Sequence, residues 1–361
     1  MKTLIEVPID KILWYFIVHS VQSVAFVCCV IGLKFYAADA VLPEKIMIYD
    51  TLIIGGGPAG YTAALYCARA ALSVMVLEKL SPGGQMATTS VIDNYPGFEE
   101  GIDGFDLGMK MKACADRFDA KTELADVTDV DFTQPIKKIT TSEGVFEGRT
   151  VIIATGASPR RLGLPEETIL KGRGVAYCAT CDGMLFKGRS VAVIGGGNSA
   201  VADALFLSKI CTKVYLVHRR NTLRATPVYM NALRNTENIE FKWDSTVSNI
   251  LYSDTNGQKL VTGLSLKNVK TGEPEDIACQ GVFITVGRIP NTDVFKNAVR
   301  LDDTGYIIAD ESCKTDVPGV FAAGDVRTKV LRQIVNACAD GATASKYAED
   351  YLAEQKSLNE I

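Results

Sequence analysis

Two cysteines stand three positions apart in YCATCDG, residues 177–183, with an aspartate directly behind: Cys178, Cys181 and Asp182. A Cys-x-x-Cys pair brings its Cα atoms near enough to bridge, so it can cycle between dithiol and disulfide. The freed thiolate can then attack the disulfide of another protein. Asp182 is placed to move a proton, and a carboxyl beside a buried redox centre has a raised pKa that suits general-acid work. Half a zinc site is the first competing use of such a pair, but zinc needs four ligands and the sequence has no second Cys-x-x-Cys and no histidine pair. A purely structural disulfide is the second, and closing so short a loop adds little stability.

The neighbourhood of the dithiol favours redox work. Downstream lies GGGNSA, with Gly195, Gly197 and Ala200 at the Gly-x-Gly-x-x-Gly/Ala spacing, and an earlier loop has Gly55, Gly57 and Gly60 at the same spacing. In such a loop the first glycine makes the tight turn, the second admits a pyrophosphate to the backbone, and the third lets helix pack on strand. The free N–H groups and partial positive charge of the helix that follows complete the anion site. Glu78 ends the next strand after the first loop, where a carboxylate accepts the ribose hydroxyls. The second unit has His218, Arg219 and Arg220 there, with Arg224 beyond. Arginines fork onto a 2′-phosphate that a carboxylate would repel. The first loop therefore reads as a site for FAD or NAD and the second as a site for NADPH. Two dinucleotides in one chain make a relay from nicotinamide to flavin, and Cys178 and Cys181 are its acceptor.

Composition removes other chemistries. The only histidines are His19 and His218, which leaves no base for a Ser-His-Asp or Cys-His hydrolase and no histidine-rich metal site. A net charge of −4 gives no reason to expect nucleic acid or an anionic membrane as partner. The other eight cysteines (28, 29, 67, 114, 211, 279, 313 and 338) have no partner at a recognisable spacing. They read as small buried hydrophobes.

The elements that must hold these residues repeat one grammar. IYDTLIIGGGPAGYTAALYCARAALSVMVLE reads strand, tight turn, helix, strand, and SVAVIGGGNSAVADALFLSKICTKVYLVHRR repeats it. At 361 residues the chain is too long for one core, and two βαβ units a domain length apart predict an α/β protein with two doubly wound domains. A strand-rich region follows, then GVFITVGRIPNT and GVFAAGDV, and LRQIVNACADGATASKYAEDYLAEQ reads as one long helix. Residues 12–33 are uncharged and long enough to span a bilayer, and Ala38-Asp39-Ala40 resembles a small-residue cleavage site. Met47 also begins a natural nucleotide-binding strand, so residues 1–46 are an anchor, a signal-like leader or an upstream extension.

CATCDG between the two glycine loops, HRRNTLR after the second, and GVFAAGDV followed by RQ resemble low-molecular-weight, bacterial-type thioredoxin reductases, over residues 48–352. The resemblance implies a flavoprotein disulfide-reductase fold. Its FAD domain is built from residues 48–158 and 287–361, with an NADPH domain, 159–286, inserted between them. It implies FAD on Gly55, Gly57, Pro58, Ala59, Gly60, Glu78, Gly84, Gln85, Asn94, Thr155, Gly156, Gly324 and Asp325, with Arg332 and Gln333 near the flavin. NADPH falls to Gly195, Gly197, Asn198, Ser199, Ala200, His218, Arg219, Arg220 and Arg224. Cys181 then faces the flavin, Cys178 attacks thioredoxin, and Asp182 is the acid. It further implies a homodimer and a swivel of the inserted domain, with ATGASPR and VGRIPN as hinges. NADPH is an intracellular cofactor, so the expected location is cytoplasmic, with membrane contact only if residues 12–33 are an anchor. A reductase of a ferredoxin- or flavodoxin-type protein would lack the Cys-x-x-Cys, and a non-enzymatic flavin or redox sensor would not consume NADPH. The arginine cluster carries a direct prediction: in a coupled assay NADPH outperforms NADH, and a preference for NADH would contradict the assignment of Arg219 and Arg220.

Overall fold

The computed structural model describes residues 47–89 and 91–359. The apolar stretch 12–33, with the anchor and leader readings attached to it, lies outside these residues. Among the described residues no helix is long and apolar enough to cross a membrane.

The first apolar run forms strand β1, Ile48–Ile54, and β2, Val74–Glu78, lies parallel to it with all five residues buried. Burial on both faces is what a parallel strand covered by helices requires. The helix between them, Pro58–Arg69, opens on a proline whose missing N–H is not needed in the first turn. β3 (Lys121–Leu124), β4 (Val127–Asp131), β5 (Lys137–Thr141) and β6 (Gly144–Ile153) complete the order β3-β2-β1-β6-β5-β4. β1 pairs parallel with β6, whereas β4, β5 and β6 form an antiparallel flap.

The chain then leaves this sheet through β7, Ala157–Pro159. A second sheet follows, built from β8 (Val175–Ala176), β9 (Ser190–Ile194), β10 (Lys213–Val217) and β11 (Ile239–Lys242). β12 (Ser245–Thr255), β13 (Gln258–Asn268) and β14 (Pro274–Ala278) form an antiparallel meander, and β15 (Gly281–Ile284) enters the second sheet to give β11-β10-β9-β15-β8, parallel throughout. The meander joins the core through Leu264, Leu266 and Ile277 with Leu170 and Ile284. The return runs through β16, Arg288–Pro290, antiparallel to β7, and ends in β17, Val320–Ala322, parallel to β6 in the first sheet. Two α/β sheets are thus joined by one two-stranded ribbon.

The C-terminal helix, Ile334–Asn359, packs on Pro58–Arg69 through Ala337, Ala344 and Ala348 against Ala59, Ala63 and Ala64. The crossing is so close that a Cβ on Gly341 would lie 2.3 Å from the Ala59 carbonyl oxygen. The helix starts later than its apolar pattern suggests, because its first turn hangs on the Gln333 carbonyl, which accepts from Ala337 N–H at 3.0 Å. Cys67, Cys211, Cys279 and Cys313 are buried as expected, and burial raises each thiol's pKa, to about 12 for all but Cys211, which reaches about 11. Cys114 and Cys338 depart from that expectation. Cys114 is exposed beside buried Ala115 on helix Gly104–Asp116, and Cys338 is half-buried, with its sulfur 3.7 Å from the Tyr95 hydroxyl. Cys28 and Cys29 lie outside the described residues.

A buried charge cluster fixes the turn after β17. Asp340 accepts from Arg327 Nη2 at 2.7 Å and Nε at 2.8 Å, from Lys329 Nζ at 2.7 Å, and from Gly324 N–H at 2.8 Å. Burial alone would raise the Asp340 pKa, but the hydrogen bonds from Arg327 and Lys329 outweigh it and hold the carboxyl below its ordinary range. Removing one member of such a cluster strands the others, so Asp340→Ala should cost roughly 3–5 kcal/mol in urea unfolding. A variant as stable as the parent would contradict a structural role for the cluster.

Candidate active site

The first glycine loop follows β1, and its geometry admits little else. A Cβ on Gly60 would fall 1.8 Å from the Gly55 carbonyl oxygen, so helix and strand meet here only through glycine. Glu78, at the end of β2 and 8% exposed, accepts from Gly56 N–H at 2.6 Å and Leu80 N–H at 3.0 Å. A cavity of about 860 Å³ opens in front of the loop, within the range of small-molecule sites. Its walls bring together Gly55, Gly57, Pro58, Ala59, Glu78, Gly84, Gln85, Asn94, Thr155, Gly156, Gly324, Asp325, Arg332 and Gln333. Gly60 sits behind the loop in the packing of helix on strand. A Cβ on Gly57 would meet nothing within 4 Å, so open space faces the helix amino terminus where a pyrophosphate would lie. With a carboxylate at the ribose position, these residues fit a flavin dinucleotide. Arg332 lies over the Tyr306 ring, 4.0 Å from its centroid, and burial raises the Asp325 pKa against the pull of Arg288 and Arg332.

Cys178, Cys181 and Asp182 stand on the wall of the same cavity, although the second sheet carries them. The two cysteines form a disulfide with Cα atoms 5.3 Å apart. Cys178 caps the four-residue helix Ala179–Asp182, and its carbonyl accepts from Asp182 N–H at 3.0 Å. Burial lifts the Asp182 carboxyl to about 6, and Lys171, on the same wall, pulls it back toward its ordinary value. Buried Glu167 steadies the segment leading in: it accepts from Gly163 N–H at 2.7 Å, Leu164 N–H at 2.8 Å and the Tyr177 hydroxyl at 2.9 Å.

The second loop lies outside this cavity, at the ends of β9 and β10. Gly195 and Gly197 precede helix Asn198–Ser208, Ala200 is buried in its first turn, and Ser199 is exposed. His218 occupies the place Glu78 has in the first unit. His218 is 7% exposed with its ring against Gly196, and burial together with Arg224 lowers its pKa. Arg219, Arg220 and Arg224 are exposed and make no ion pair among the described residues. Their segment is tied to the loop by Arg224 N–H to the Gly196 carbonyl at 2.7 Å and Thr226 N–H to Asn198 Oδ1 at 2.9 Å. The motif thus presents three unpaired cations around a glycine turn and a helix amino terminus.

The ATGASPR and VGRIPN segments are the β7–β16 ribbon, locked by Asn291. Asn291 Nδ2 donates to the Thr155 carbonyl at 2.7 Å, and its Oδ1 accepts from Ser158 Oγ at 3.0 Å. Lys171, Arg288, Glu167 and Asp340 escape a sequence reading. Arg288 stands inside a motif, but the others belong to no motif, and only the folded chain brings them to the site.

Residues 49–341 match the family described as pyridine nucleotide-disulphide oxidoreductase. The chain is 45% identical over 317 residues to a thioredoxin reductase of Streptomyces clavuligerus, covering 87% of this chain and 97% of that one. Among solved structures it is similar to the thioredoxin reductase of Streptococcus pyogenes MGAS5005, at 44% identity and TM-score 0.78 over 85% of this chain and 99% of that one. It is also similar to that of Lactococcus lactis in its FR conformation, at 42% identity and TM-score 0.61 over 85% and 99%. Likeness that runs almost the full length of these relatives, through both glycine loops and the dithiol between them, decides the affiliation: the chain belongs to the pyridine nucleotide-disulphide oxidoreductases and, within them, to the thioredoxin reductases, which use FAD and NADPH.

Proposed function

We propose that this chain passes electrons from NADPH to the disulfide of thioredoxin through FAD and the Cys178–Cys181 pair. One observation carries the reading: the disulfide and Asp182 line the same cavity as the first glycine loop and Glu78. FAD, when bound there, supplies a two-electron carrier between nicotinamide and disulfide. Gly55, Gly57, Ala59 and the helix amino terminus would hold its pyrophosphate and Glu78 its ribose, and Arg332, Gln333 and Asn94 would border the ring. Arg219, Arg220 and Arg224 hold the 2′-phosphate of NADPH beside the second loop.

The output side uses this chain's own sulfurs. In the reduced pair, the Cys178 thiolate attacks one sulfur of the thioredoxin disulfide and expels the other, to which Asp182 gives its proton. The Cys181 thiolate then attacks the Cys178 sulfur, which restores the bond between the two cysteines and releases thioredoxin with both sulfurs reduced. Met184 and Leu185, 50% and 49% exposed just beyond the dithiol, offer an apolar shelf for such a partner.

The domain reading follows the sheets: an FAD domain of 48–158 and 287–361, an inserted NADPH domain of 159–286, and the β7–β16 ribbon as hinge. The second loop lies outside the cavity that holds the disulfide, so nicotinamide and disulfide take turns there by rotation about the ribbon. At nearly equal identity and coverage, TM-scores of 0.78 and 0.61 against two thioredoxin reductases support a fold whose two bodies take more than one relative arrangement. We further read the working unit as a cytoplasmic homodimer.

NADPH consumption should require thioredoxin and vanish in Cys181→Ser, and equal consumption by parent and variant would contradict the proposal. The acid form of Asp182 prevails below pH about 6 and is lost as pH rises through that value. Thioredoxin reduction limited by proton donation should therefore slow along that limb. Asp182→Asn should remove the limb and cost roughly 10²-fold or more at pH 6, while NADPH still bleaches the flavin. A parent and variant with the same pH profile would contradict the acid role.

A further inference from the structure

Away from the β7–β16 ribbon, every hydrogen bond or ion pair that crosses between the two sheet-bearing bodies, among the described residues, ends on one residue. That residue is Thr180, which stands between the two cysteines. Gln333 Nε2 donates to its hydroxyl oxygen at 3.1 Å, and Asn94 Nδ2 donates to its carbonyl at 3.3 Å. The two arms also bond each other, Asn94 Nδ2 to Gln333 Oε1 at 3.1 Å. Both arms rise from fixed points of the first body. The Asn94 segment is held by the bridge between Ile92 and Ile102, and Gln333 accepts the first hydrogen bond of the C-terminal helix between Arg332 and Ile334. The Thr180 hydroxyl also lies 3.4 Å from Cys178 Sγ, so whatever grips Thr180 grips the redox pair.

We infer that Asn94 and Gln333 form a latch on Thr180 that holds the disulfide at the cavity and sets how often the second body swings away. The inference rests on the proposed relay and adds to it a positioning role for a residue outside the redox chemistry. The ribbon joins the two bodies but leaves their angle to other contacts, and the contact at Thr180 stands beside the disulfide. Its hydrogen bonds are exposed and neutral, each worth only a small net stabilisation, which suits a contact that must break and reform every turnover. NADPH reaches the flavin only from the swung arrangement, so its apparent rate of flavin reduction scales with the fraction of molecules unlatched.

The test uses the full chain loaded with FAD, as parent, Thr180→Val and Thr180→Ser. Valine keeps the shape of threonine and removes the hydroxyl, whereas serine retains it. Two readouts are taken: deuterium exchange of the amides of residues 178–183 and 332–336 in the oxidised protein without NADPH, and the rate at which NADPH bleaches the flavin on rapid mixing. The loss of one neutral hydrogen bond should raise both exchange and bleaching roughly two- to tenfold in Thr180→Val and leave Thr180→Ser like the parent. A valine variant that matches the parent in bleaching overturns the latch, whether or not its exchange changes, because Thr180 would then act only on its own segment. A parent whose flavin NADPH does not bleach defeats the relay itself, a result distinct from any difference among Thr180 variants.

Discussion

In the proposed relay one cavity must serve two electron carriers, and the residues assigned to both belong to the second sheet and its loops. The first sheet and the C-terminal helix line the cavity proposed for the flavin; the second sheet brings both the disulfide and the arginine-flanked loop. The disulfide lies against the cavity while the second loop stands clear of it, so under the proposed relay the two take turns. This constraint explains why the chain leaves its first sheet after β6, completes a second sheet, and returns at β17. The excursion makes a body joined at a single ribbon, with entry and exit strands side by side.

Buried polar clusters brace each of the two bodies that the proposal sets in rotation. Asp340 clamps the Gly324 turn with two buried cations, and Glu167 ties the backbone amides of Leu162, Gly163 and Leu164 and the Tyr177 hydroxyl ahead of the dithiol. Each part is thus braced internally, and away from the ribbon the hydrogen bonds between parts, among the described residues, are few and neutral. Asp182 gains its chemistry from the same arrangement. Its burial on the cavity wall raises its proton affinity, against the pull of Lys171.

The chemistry was legible in the sequence because it depends on local spacing. A glycine loop, a strand-end Glu78 or Arg219, and a Cys-x-x-Cys each carry their physical reason within thirty residues, and every one of the proposed flavin contacts except Gly60 lines the cavity. Gly60 works by packing, the role its position in the loop assigns. What stayed hidden depends on pairs distant in the chain. No spacing rule links Asp340 to Arg327 and Gly324, or Thr180 to Asn94 and Gln333. The cysteines erred for a related reason: the apolar neighbours of Cys114 suggested burial, but helix Gly104–Asp116 turns Leu107 and Ala115 inward and leaves Cys114 outside.

The most direct test of the central claim counts electrons. Anaerobic reductive titration of the purified, flavin-loaded chain should consume two electron pairs per protein, one for the flavin and one for the Cys178–Cys181 bond, and a single pair when both cysteines are replaced by serine. Uptake of only one pair by the parent, with the disulfide still intact afterwards, would show that the sulfurs and the flavin do not exchange electrons.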